Sequence, residues 1–158
     1  MQSESARATR PEESRFRIAA PNSRPRTVAV VPLDAAAQAA LGDVASRGWN
    51  RAIFVNSDAG DDWLAELPGR TRALVDAIAA ANLVVLVATA GADARAAGMV
   101  AEAALARGRM VAAVLIDSGD ADPAALERSL AALRPHAGML VLADGSDYLA
   151  AMLEALRA

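Results

Sequence analysis

From Thr27 onward, apolar residues along this chain fall into two alternating rhythms. Short, nearly unbroken apolar runs occupy Thr27–Val31, Ala52–Asn56, Leu83–Ala88, Met110–Ile116 and Met139–Ala143. A run of this kind has no polar face to offer water, which marks a strand covered on both sides, as in parallel sheets. Between the runs the apolar spacing turns helical. Leu126, Leu130 and Leu133 share one face of a helix opened by Asp122-Pro123 and stopped by Pro135. Leu149, Met152, Leu153 and Leu156 repeat at i, i+3, i+4 and i+7 behind a cap at Ser146. Helices over Asp34 to Arg47 and Asp93 to Arg107 stop at Gly48 and Gly108, and one more spans about 70–81. Five β-α units with right-handed crossovers predict a three-layer α/β/α sandwich around a five-stranded parallel sheet. Such a fold is Rossmann- or flavodoxin-like, with strand order 2-1-3-4-5.

Residues 1–26 break the rhythm. They carry Ser, Pro, Glu and six Arg with apolar residues scattered singly, so they read as a disordered arm ahead of a single domain over 27–158. Within the arm only Arg15-Phe16-Arg17-Ile18 alternates, as an edge strand or a docking peptide would. The arm lacks the apolar stretch of a secretory signal, and no apolar run reaches the ~20 residues of a membrane span. The expected localisation is therefore cytoplasmic.

Composition narrows the chemistry. The net charge of −3 favours neither nucleic acid nor an anionic membrane surface. With no Cys there are no disulfides, thiolate nucleophiles or Cys-based metal sites, and with no Lys there is no Schiff base and no phosphate-loop lysine. A response-regulator receiver would need a lysine after its fifth strand. His136 is the only histidine, too few for a zinc centre, and no spacing suggests a Ser/His/Asp triad. Trp49 and Trp63 fall in connections, where they either cap sheet ends or anchor a partner.

Ligands of open α/β sheets bind beyond the carboxyl ends of the strands. There the chain places Asp34, Asp58, Asp93, Asp117 and Asp144, with Asp61, Asp62, Asp120, Asp122 and Asp147 nearby. Such a rim suits a divalent cation or an amine, but aspartate also collects at helix N-termini as a cap, and that is the stronger reading. After the first strand, where a nucleotide domain carries a glycine-rich turn, the sequence runs Pro32-Leu33-Asp34-Ala35. The candidate pocket comprises Asp34, Asn56, Asp58, Thr89, Ala90, Gly91 and Asp93, with no catalytic residue, metal ligand or cofactor assigned.

The order of landmarks resembles the N-terminal half of the nucleotide domain of the FtsZ/tubulin superfamily. Val28–Val31 and the helix after it look like that family's first strand and phosphate loop, and Phe54–Ala59 is similar to its "AVNTDA" segment. Asn82–Gly91 resembles "DLVFVTAG", Met99–Ala104 resembles "PVVAEIA", and Leu133–His136 leading into Met139–Ala143 resembles "LRKHVDTLIVIPN". The match is collinear over about residues 27–147. The resemblance implies a GTP-binding scaffold, but the departures fall on the phosphate contacts. The first-loop glycines are replaced by Pro32–Gln38, and the GGGTGTG loop is shortened to Ala92–Gly98. The long central helix, the catalytic loop that a neighbouring subunit inserts and the second domain have no counterpart in this sequence.

The sequence is therefore expected to be a degenerate relative without tight GTP binding: a non-enzymatic accessory or regulatory protein acting through protein contacts. The expected partner is a second copy or, on the same surface, a different protein, approached through the small side chains of the helices over 34–47 and 93–107. The alternative is a small-ligand or cation-dependent binding protein or enzyme using the strand ends.

Overall fold

The computed structural model describes residues 24–55 and 67–158. The readings made for 1–23 and for Asn56, Asp58, Asp61, Asp62 and Trp63 lie outside the described residues. Strands β1 (Val28–Pro32), β2 (Ala52–Phe54), β3 (Leu83–Thr89), β4 (Met110–Ile116) and β5 (Met139–Ala143) form one parallel sheet ordered β2-β1-β3-β4-β5. The order is the predicted one. From β1 the chain adds β2 on one side and then β3 on the other, so the crevice between the carboxyl ends of β1 and β3 is the topological switch point.

Helices α1 (Ala35–Ala40), α2 (Gly42–Ala45), α3 (Leu67–Ala80), α4 (Ala96–Leu105), α5 (Pro123–Leu133) and α6 (Asp147–Leu156) connect and flank the strands. Strand residues alternate between two cores, as the period of two requires. Ala29, Val31 and Leu33 join Ile78 of α3, Val100 of α4 and Leu133 of α5. Val28 and Val30 join Ala37 of α1, Val44 of α2, and Leu149 and Leu153 of α6. Both faces of β1, β3 and most of β4 are therefore covered, which explains their unbroken apolar runs, whereas the edge strand β5, expected to be covered as well, leaves Met139 and Leu142 exposed.

Pro32 sits at the end of an internal strand without disrupting it. The amide of Val28 donates toward β2, to the Arg51 carbonyl at 2.9 Å, and that of Leu33 toward β3, to the Val87 carbonyl at 2.8 Å. Alternation turns the missing Pro32 donor toward β2, which has already ended at Phe54.

Several helix boundaries differ from the sequence reading. The helix expected over 34–47 is two short ones, with the Leu41 amide shared between the Ala37 and Gln38 carbonyls and Gly42 opening the second. The helix expected from Asp93 starts at Ala96, because the Asp93 carboxylate accepts from the Arg95 amide and makes a turn instead. Ser146 precedes α6 but makes no side-chain cap bond. The glycine stops hold: Gly48 and Gly108 have φ of +74° and +67°, the left-handed closure a side chain resists.

Trp49 is half-buried against the second core and donates its Nε1 hydrogen to the Val44 carbonyl at 2.7 Å, closing the end of α2. It is an internal cap rather than an exposed anchor. The small side chains of α4 also differ from expectation. Ala96, Ala97, Ala101 and Ala104 are buried against the sheet, and Met99, Glu102 and Leu105 are what the helix exposes. Among the described residues no helix is long and apolar enough to cross a membrane.

Candidate functional site

Asp34 is the centre of the switch-point crevice. It leaves β1 in an extended conformation and stands at the N-cap of α1. One carboxylate oxygen, Oδ1, accepts from the Ala37 amide at 2.8 Å. The other, Oδ2, accepts from the Thr89 amide at 2.8 Å, at the carboxyl end of β3. A single carboxylate thus satisfies a helix N-terminal donor and ties the ends of two adjacent strands together. The Ala37 amide it occupies is a helix N-terminal donor, the kind of group that binds phosphate in nucleotide domains.

The turn after β3 is fastened from the other side. Gly91 adopts φ of +85°, and its amide donates at 3.0 Å to Ser129 Oγ. That hydroxyl donates in turn to the Ala125 carbonyl one helical turn back in α5, at 3.2 Å. Ser129 is a buried polar residue in an otherwise apolar environment, and its pairing follows the rule that buried polar groups find partners. The Ala90 amide donates to the Ile116 carbonyl of β4 at 2.8 Å. Thr89 Oγ1 is shielded and has no hydrogen-bond partner among the described residues. A Cβ on Gly91 would lie 3.6 Å from Ala125 Cβ, an ordinary contact, so the requirement for glycine comes from the backbone angle and not from space.

Of the candidate pocket, Asp34 and Thr89 are brought into direct contact and Ala90 and Gly91 continue from them. Asp93 is separate. It lies exposed on the loop before α4, where Arg95 donates to it from its amide at 2.9 Å and from Nε at 2.6 Å. The Arg95 side-chain hydrogen bond, then its amide, holds the Asp93 carboxyl below the usual carboxylate range. Because the folded-state value is depressed, the interaction is fully present above the unfolded-state value and is lost as pH falls through the folded one. Replacing Arg95 with alanine is expected to move the Asp93 midpoint up toward the ordinary range, read by carboxyl-carbon NMR titration. An unchanged midpoint would show that the guanidinium does not hold the carboxylate in solution.

Three of the remaining rim carboxylates are engaged in local turns. Asp122 accepts from the Ala125 amide as the N-cap of α5, Asp117 from the Gly119 amide, and Asp120 from the Ser118 hydroxyl. Asp147 pairs with Arg47 at 3.4 Å on the surface. Among the described residues no group of three or more His, Asp or Glu is placed to hold a metal ion. Beside β1 a recess of about 70 Å³ lies between Pro32, Gln38, Leu41 and Phe54. That is well under the ~300 Å³ at which small-molecule sites begin.

Ser129 is the site residue that the sequence reading missed. Its signal was present: it stands three residues after Leu126 and four before Leu133, a polar residue on the apolar stripe of α5. No family model matches the chain, and no curated protein matches it either.

Proposed function

We propose that this protein is a non-enzymatic accessory or regulatory protein, built on a nucleotide-domain scaffold of the FtsZ-like kind that does not hold GTP. It acts through contacts with a protein partner or a second copy, in the cytoplasm. The observation that carries the reading is the double engagement of Asp34. Its carboxylate uses the Ala37 and Thr89 amides at 2.8 Å each, so a phosphate arriving there would displace two internal bonds and meet a like charge. The exposed surface supports the contact role: Met99, Leu105, Met110, Met139 and Leu142 are large apolar residues at the surface.

The test is calorimetric titration with Mg-GTP and Mg-GDP. No saturable heat is expected at ligand concentrations into the high micromolar range. A dissociation constant in the low micromolar range would overturn the reading.

A further inference from the structure

A large concavity among the described residues lies at the opposite end of the sheet from Asp34. It is a groove of about 900 Å³ at the amino ends of β3, β4 and β5, walled by Leu83, Leu105, Met110, Met139, Met152 and Leu156. Leu105, Met110 and Met139 are 59%, 52% and 44% exposed, which is costly for side chains of this size. The charged groups on the lining are Arg26 and Arg109, with the imidazole of His136, and the lining contains no carboxylate. Arg109 donates from Nη2 to the Ala79 carbonyl at 2.9 Å, while its shielded Nε has no acceptor among the described residues.

The chain itself enters the domain at this groove. Arg26 lines it, and the Arg26 amide donates to the Leu156 carbonyl at 3.1 Å, fastening the entering strand across the end of α6. Whatever precedes Arg26 is therefore delivered to the rim. After Met1, the large apolar side chains upstream are Phe16 and Ile18. They stand ten and eight residues before Arg26, a span of ~25–35 Å when extended, ample to turn back into a groove of this size. Spaced by two, Phe16 and Ile18 fall on one side of an extended segment and Arg15 and Arg17 on the other. Glu12 and Glu13 lie just ahead, complementary to Arg109 and Arg26. Tethering also sets a local concentration of order millimolar, so even a weak contact fills the site.

We propose that the segment over 12–19 of the same chain docks in this groove, with Phe16 and Ile18 against Met110, Met139 and Met152 and its acidic pair toward the two arginines. The groove is then covered by the arm in cis, and a partner reaching it must first displace that segment.

The chain's methionines test this directly, because Met110, Met139 and Met152 line the groove whereas Met99 is exposed outside it. With ¹³C-methyl methionine in the full chain, the Phe16→Ser/Ile18→Ser variant is expected to shift the three groove methyls and leave Met99 in place. The absence of cysteine allows a single nitroxide at Ser14→Cys, which is expected to broaden the same three signals in a spin-labelled, ¹³C-labelled chain. No shift and no broadening at these methyls would overturn the proposal. Broadening of these methyls when spin-labelled chains are mixed with separate ¹³C-labelled chains would assign the groove to a second copy and overturn it as well.

Discussion

Replacing Asp34 with alanine is expected to lower the unfolding free energy by about 2–4 kcal/mol. Two losses combine. Removing the N-cap acceptor leaves the Ala37 amide without its partner at 2.8 Å, worth about 1 kcal/mol in helices of known stability. Removing the second oxygen strips the Thr89 amide, which sits at the carboxyl end of a buried strand, and an unpaired amide there costs about 1–3 kcal/mol. Asparagine divides the two effects. Its oxygen can still cap Ala37, but its amide group then faces the Thr89 N–H donor to donor. Asp34→Asn is therefore expected to retain the cap and lose the cross-strand bond, falling between wild type and alanine. Urea denaturation measures both variants. Equal stability for all three proteins would mean that the carboxylate is solvated and that the crevice is open to ligands after all.

The same residue shows what was readable in the sequence. That Asp34 caps a helix follows from its position ahead of an alanine run, since the bond to Ala37 spans three residues. Its bond to Thr89 spans 55 residues and exists only because β1 and β3 are neighbours. Strand order was legible because continuous apolar runs identify buried parallel strands, and five of them connected by helices leave few topologies. Helix starts were less so. Asp93 and Asp122 look alike as caps, yet Asp122 is followed by Pro123 at the first helical position, whereas Asp93 is followed two residues later by Arg95, whose amide and side chain capture the carboxylate. The alanines of α4 misled in the other direction. Alanine suits an exposed helix and a closely packed one equally, and only the assembled sheet puts Ala97, Ala101 and Ala104 inside. The groove at the amino ends of the strands was not legible at all, because Leu105, Met110, Met139 and Met152 come from four separate elements and connections.

The alanine-rich helices also set the size of the largest expected effect. Leu86 is wholly buried at the middle of β3, a strand paired on both sides, between β1 and β4. The helix residues that share its core include Ala77, Ala97, Ala101 and Ala104. When a leucine is cut back to alanine, neighbouring side chains normally lean in and recover part of the lost contact. Alanine has no rotatable side chain, so wherever these alanines border the void it closes only if a helix backbone moves, and α4 is held by buried contacts along most of its inner face. Leu86→Ala is accordingly expected to cost about 4–5 kcal/mol, the upper part of the range seen for buried leucines. That is a large share of the ~5–15 kcal/mol that holds a typical domain folded. Leu86→Met, which keeps the volume, is expected to cost less than about 1.5 kcal/mol. Chemical denaturation of the two variants is the measurement. A loss near 2 kcal/mol for the alanine variant would mean that α4 settles onto the sheet, and that the small-residue packing between them is compliant rather than rigid.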